Sequence, residues 1–317
     1  MSSTRQHIAD LIGFTSGSYP PISEVVSTVA ESGYSRTLLR YTGADDEPVE
    51  AFLFTPADGA ARGGALALHQ HNSQWSIGKS EVAGLTGDPL QAFGPELARR
   101  GIAVLAADAI GFESRCVVSG APPDLAPRLT KPGSSADGWL QYYNQMAHRL
   151  VRGDLLMRTM LLDCEAGLAV LRQCVPASVS IGVLGHSMGG NTALFLGALD
   201  PLVDFVCASG ALGSYRRKLA RGIGLEMALI IPGFASRFDM DDVLRCIAPR
   251  PCLIVSATED FATEDASDIV EAASAGWDDG AAGGGLVHLR VSGEHALDEE
   301  RFTAIVDWVA AQMRDDA

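Results

Sequence analysis

The run Gly185-His186-Ser187-Met188-Gly189 holds the side chain best placed for covalent chemistry in this 317-residue chain. A serine flanked by glycines at that spacing fits a sharp strand-to-helix turn, which lifts the hydroxyl clear of a sheet. The flanking residues have the required pattern. Val179-Ser180-Ile181-Gly182-Val183-Leu184 reads as an apolar strand, and Asn191-Thr192-Ala193-Leu194-Phe195-Leu196 opens a helix. The start of that helix supplies unpaired N–H groups and positive dipole potential where an oxyanion would form. Ser187 is therefore expected to act as a nucleophile in acyl transfer.

A serine hydroxyl is a poor nucleophile until a base takes its proton, and the base needs an acid to orient it. After such a turn the expected order is serine, acid, histidine. Asp260 follows the apolar strand 252–258 and is the expected acid, with Glu259 and Asp265 as alternatives whose simpler role is a helix-start charge. His295 follows the last strand and is the expected base. Its competitor, His288, lies inside that strand and reads as a hydrogen-bonded sheet histidine, while His186 reads as a packing residue. The backbone N–H groups of Met188 and His71 are expected to form an oxyanion hole, with Gln70 as the alternative to His71. His69 and His71 have no third ligand at suitable spacing, so no metal is expected, and the chemistry requires no organic cofactor.

The elements that must position these residues follow a repeating order of short apolar run, turn and longer helical pattern. Buried strands are expected at 65–69, 103–107, 179–185, 205–209, 252–257 and 287–291, and helices at 89–100, 153–173, 188–199, 263–275 and 298–313. Strands alternating with helices imply a doubly wound α/β sheet, largely parallel. Ahead of them, 34–41 and 49–55 read as a hairpin at the sheet edge, and 1–33 as an N-terminal arm with one or two short helices. Two connections, 111–152 and 211–248, are too long for simple loops and read as lid or pocket insertions. Their aromatic residues Trp139, Tyr142 and Phe234, with Trp75, are the expected substrate-pocket lining. The stretch 280–285 reads as a flexible loop, and residues 1–317 as a single domain.

Composition narrows the partners. A net charge of −15 argues against nucleic acid or an anionic membrane surface, and no run approaches the roughly 20 apolar residues of a spanning helix. A small molecule is the expected partner, and self-association into a homo-oligomer is compatible with the sequence. Cys116, Cys164, Cys174, Cys207, Cys246 and Cys252 form no C-x-x-C pair and mostly sit among apolar residues. With no apolar signal-type segment in the first ten residues, a reducing, cytoplasmic setting is expected.

Taken together, residues 45–315 resemble the α/β-hydrolase superfamily, and most closely its dienelactone hydrolase-like and acetyl xylan esterase-like serine esterases. Besides residues 185–190, the resemblance rests on the loop His69–Gln74, Gly78-Lys79-Ser80-Glu81, Asp108-Ala109-Ile110-Gly111-Phe112-Glu113 and Ala248-Pro249-Arg250-Pro251. It implies an α/β-hydrolase fold with helical cap insertions, triad roles for Ser187, Asp260 and His295, and hydrolysis of a small carboxylic ester or lactone through an acyl-enzyme. It also implies that Asp108 organises the following loop by pairing with Arg115, and that Lys79 and Glu81 are surface or loop-fixing charges. Two features depart from the pattern. Dienelactone hydrolases proper carry cysteine where Ser187 stands, and many esterases show His-Gly-Gly where this chain has His69-Gln70-His71. Amide or carbon–carbon bond cleavage on the same residues are the alternative reactions. Ser187 excludes the aspartate-nucleophile chemistry of haloalkane dehalogenases, and the presence of all three triad candidates disfavours a non-catalytic binding protein.

Overall fold

A computed structural model describes residues 3–17, 22–116, 135–277 and 285–313. The proline-rich piece around Pro122–Pro132 and most of the glycine-rich 280–285 lie outside the described residues. Among the described residues the strands form one nine-stranded sheet in the order β1-β2-β3-β5-β4-β6-β7-β8-β9. These strands are β1 (Ser23–Glu31), β2 (Tyr34–Thr42), β3 (Pro48–Pro56), β4 (Gly63–Leu68), β5 (Ile102–Ala107), β6 (Ile181–His186), β7 (Val206–Ser209), β8 (Cys252–Ala257) and β9 (Leu286–Val291). From β5 to β9 all neighbours run parallel, whereas β1, β2 and β3 join as an antiparallel meander through the β3–β5 pair.

The parallel strands read as continuous apolar runs because both faces are covered. Alternate residues divide between two cores. In β4, Leu66 and Leu68 face one core while Ala65 and Ala67 face the other; in β8, Cys252 and Ile254 separate in the same way from Leu253 and Val255. One face is covered chiefly by α1 (Ser3–Ile12), α5 (Leu156–Gln173), α6 (Met188–Leu199) and α8 (Met240–Arg245). The other is covered by α3 (Phe93–Arg99) and α10 (Glu299–Ala311), with the short α2 (Lys79–Val82) beside them. The insertions contribute α4 (Ser135–Val151) and α7 (Tyr215–Arg221), and α9 (Ala266–Ala273) follows β8.

Several sequence expectations are corrected. The arm 1–33 is helical only over α1; residues 23–31 form a strand that lies outside the predicted hairpin and takes its place as the sheet edge. Its apolar alternation is broken by a register shift between Val25 and Ser27, so the period-two signal is lost there. The helix expected at 89–100 is divided. Asp88 caps a 3-10 turn over Pro89–Gln91, and α3 begins only at Phe93. The helix expected from 153 starts at Leu156, after Gly153 at φ 77°. All six cysteines are free thiols. Among the described residues no helix is long and apolar enough to cross a membrane.

Candidate active site

Ser187 sits between β6 and α6 with φ 55° and ψ −116°, a backbone conformation that side chains other than glycine's rarely adopt. The strain is held from several sides. Ser187 N–H donates to the Ser209 carbonyl at 2.8 Å, and Asn191 N–H donates to the Ser187 carbonyl at 2.9 Å. The flanking glycines are required by contact. A Cβ on Gly185 would lie 2.4 Å from the Gly189 carbonyl carbon, and one on Gly189 would lie 2.3 Å from the Leu68 carbonyl oxygen. Close packing of β4, β6 and α6 therefore fixes where the hydroxyl emerges.

The three residues expected to act together are brought together. His295 Nε2 lies 2.8 Å from Ser187 Oγ, and His295 Nδ1 lies 2.9 Å from Asp260 Oδ2. Asp260 is buried at the end of β8, where its carboxylate also accepts the Ala262 N–H at 2.9 Å and the Thr263 hydroxyl at 3.0 Å. Burial pushes its pKa up, but the hydrogen bond and charge of His295, with those two donors, outweigh it and leave the carboxyl lowered. A carboxylate on one ring nitrogen leaves the other free to accept a hydroxyl proton.

The alternatives have other partners. Glu259 is exposed. Asp265 accepts the N–H and hydroxyl of Ser214. His288 bonds Ser256 Oγ at 2.8 Å across β8 and β9, the sheet role expected of it. His186 is fully buried and bonds Ser209 Oγ at 3.1 Å; burial and the nearby His295 lower its pKa to about 3, so it stays neutral.

On the opposite side of the serine, the loop after β4 is tied down by His69. Its Nε2 accepts the Ala109 N–H at 3.0 Å, so its Nδ1 carries the proton and donates to the Gln70 carbonyl at 2.8 Å. The Gln70 side chain is held by buried Glu81 at 3.0 Å. With the Gln70 carbonyl directed to His69, the N–H of His71 in the same trans peptide points the opposite way. Neither this N–H nor that of Met188, first in α6, has an acceptor among the described residues.

Lys79 and Glu81 fix their loops, as one of their two expected roles requires, but from buried positions rather than from the surface, and Asp108 pairs with Lys79 rather than with Arg115. Lys79 Nζ lies 2.7 Å from both Asp108 Oδ2 and Glu113 Oε1, while Ser114 donates its hydroxyl to Asp108 at 2.6 Å. Arg115 instead pairs with Asp163 at 2.6 Å and reaches only the Asp108 carbonyl, at 3.4 Å. A lysine in a polar loop gives no sequence signal of burial; three acids meeting it through folding do.

The expected pocket residues separate. Trp75 and Tyr142 are buried around His71, with ring centroids 5.0 Å and 5.4 Å from it. The Tyr142 hydroxyl lies 3.5 Å from Met188 Sδ and donates to Glu226 at 2.5 Å, which joins the two insertions beside the serine. Phe234 is not a pocket residue. It is fully buried against Phe195, Tyr215 and Phe238, filling the core behind α6. Trp139 is 49% exposed and stacks on Tyr143. A cavity of about 30 Å³ lies beside Met188 and Gly189, lined mainly by Leu66, Leu68, Ala107, Met160 and Cys164.

A largely parallel sheet covered on both faces, with a serine at a positive-φ turn after the inner strand β6, is the α/β-hydrolase fold. Neither a family model nor a curated protein matches the chain. Among solved structures, it is similar to a Bacteroides fragilis protein assigned as an acetyl xylan esterase, at 16% identity and TM-score 0.69, covering 90% of this chain and 73% of that one. A glucuronoyl esterase from Solibacter usitatus is 14% identical with TM-score 0.65, covering 99% of this chain and 93% of that one. Acetyl xylan esterase 1 from Thermoanaerobacterium sp. JW/SL YS485 is 16% identical with TM-score 0.58, covering 98% and 93%.

Proposed function

We propose that this protein is a serine esterase that hydrolyses short-chain carboxylic esters or lactones through an acyl-enzyme. The observation that carries the reading is the continuous chain from Ser187 Oγ through the His295 ring to Asp260, with both hydrogen bonds within 2.9 Å. Similarity of fold to esterases from several bacteria supports it.

Ser187 Oγ attacks the ester carbonyl carbon while His295 Nε2 takes its proton; Asp260 keeps the other ring proton on Nδ1 and stabilises the imidazolium. The amides of Met188 and His71 receive the oxyanion. The imidazolium then returns its proton to the departing alcohol. Water, activated by the same imidazole, releases the acid and restores the serine. The buried aromatic wall of Trp75, Phe112 and Tyr142 beside the oxyanion loop favours a small acyl group over a long chain. The six free thiols support a reducing compartment.

A series of p-nitrophenyl esters tests this. The acetate should be turned over faster than the octanoate, and Ser187→Ala should abolish turnover and fluorophosphonate labelling while the circular dichroism spectrum is unchanged. Undiminished turnover by Ser187→Ala would remove the reading.

A further inference from the structure

The side chain of His71 is held with more constraint than a residue needed only for its backbone amide. Its Nδ1 accepts the Ser73 N–H at 2.9 Å, which only an unprotonated nitrogen can do, so the proton of the neutral ring sits on Nε2. The chain reaches this arrangement through Asn72 and Ser73 at φ 39° and 53°, two successive non-glycine residues in the left-handed region. Gln74 N–H closes the turn on the His71 carbonyl at 3.0 Å. Such strain persists only where surrounding structure imposes it, and it concentrates at functional sites.

The ring is enclosed by Trp75, Phe112 and Tyr142, with centroids at 5.0 Å, 5.4 Å and 5.4 Å. Its titratable neighbours are His69 on the same loop and Tyr142 on α4. Burial, with His69 adding to it, lowers the His71 imidazole to about 4, so the ring is neutral across the physiological range. Nε2 has no hydrogen-bond partner among the described residues, yet it is not sealed from solvent. The cage also adjoins the nucleophile. Tyr142, one wall of it, touches Met188, and Gly189 packs directly on the carbonyls of Leu68 and His69.

We propose that the Nε2–H of His71 is a third donor to the oxyanion, acting beside the Met188 and His71 amides. This rests on the esterase reading and assigns a catalytic contact to a side chain. A neutral imidazole N–H with a fixed tautomer needs no reorganisation as charge develops on the carbonyl oxygen, which is when a preoriented donor is worth most. Neutrality matters for a second reason. A charged ring would not accept from Ser73, and the turn that holds it would open.

The test compares wild type, His71→Phe, His71→Gln and Ser187→Ala on p-nitrophenyl acetate. Phenylalanine fills the aromatic cage but has neither the Nε2–H donor nor the acceptor for the Ser73 N–H, so kcat should fall about 100-fold with KM little changed. Glutamine restores an N–H and should recover part of that loss. Unchanged kcat in His71→Phe overturns the proposal, as do equal losses in both variants. Nitrogen-15 NMR of histidine-labelled wild type, with the His71 signal assigned by its absence from His71→Gln, gives a readout independent of turnover. The Nε2–H tautomer at pH 6 is expected, and an imidazolium at that pH overturns the inference. If wild type hydrolyses no ester, the esterase reading fails, and with it the oxyanion role, while the tautomer result still stands or falls alone.

Discussion

The rings of His186 and His295 pack against each other in a tilted pair, centroids 5.0 Å apart and planes inclined by 43°. The residue before the nucleophile thus forms the floor for the histidine that faces it. Gly210, at φ 57°, closes the space beside both. A Cβ there would lie 2.5 Å from His186 Cε1 and 3.1 Å from His295 Cε1. Gly210→Ala should therefore move His295 off the Ser187 hydroxyl. In the proposed mechanism this lowers kcat on p-nitrophenyl acetate by about tenfold or more, because a displacement near 1 Å already costs about 100-fold in well-oriented reactions. Retention of full kcat by a folded Gly210→Ala protein would show that the pair is not a positioning device.

Asp260→Asn tests the acid. Asparagine can still fill the site but can stabilise the wrong histidine tautomer, so kcat should fall about 10⁴-fold as in other serine triads. The variant also has a pH signature. Because the folded carboxyl is lowered from its ordinary 3.8, its contribution to stability is present above that value and lost as pH falls through the folded value. Urea midpoints of wild type and Asp260→Asn should therefore converge as pH drops below about 4. A difference that grows there contradicts the assignment of a favourably bonded carboxylate.

The buried cluster around Lys79 makes a prediction about stability rather than chemistry. Lys79 stands between Asp108 and Glu113, with Glu50 at 3.6 Å, and burial together with Glu113 raises the Asp108 carboxyl. Lys79→Met leaves these acids facing one another without their cation, which typically costs about 3–5 kcal/mol. Adding Asp108→Asn to that variant should recover part of the loss. Equilibrium urea unfolding at pH 7 reads both, and a loss below about 1 kcal/mol would mean that the cluster is hydrated rather than closed.

The site was legible in the sequence to the extent that it depends on chain order. Ser187, Asp260 and His295 each follow a predicted strand in the chain order serine, acid, histidine, and that order picks them out, although position alone leaves Glu259 beside Asp260. His288 could be set aside for the same reason, since it lies within its run. What depends on assembly was not legible. The exchange of partners between Lys79, Asp108, Arg115 and Asp163 joins residues up to 48 positions apart. Phe234 looked like lid lining because it lies in a long insertion, yet that insertion folds back and uses it to fill the core against Phe195. Glu226 had no motif to mark it; its role across the two insertions comes from its bond to Tyr142.

That bond supports a last prediction, in which pH again decides. Glu226 accepts the Tyr142 hydroxyl through one oxygen and the Ala228 N–H through the other. Burial raises its carboxyl above the ordinary 4.5 despite those two donors. A carboxyl raised in the folded state binds protons more tightly there than in the unfolded chain, so wild type loses stability as pH climbs from 4.5 through the folded value. Glu226→Gln is nearly isosteric, and its amide oxygen can still accept from Tyr142, but it carries no charge to desolvate. The variant should match wild type near pH 4 and exceed its thermal midpoint at pH 8. Tyr142→Phe should instead lose stability at pH 8, because it leaves the charged carboxylate with one donor fewer. If Glu226→Gln is the less stable protein at pH 8, favourable charge interactions, such as with Lys218, outweigh the burial of the carboxylate.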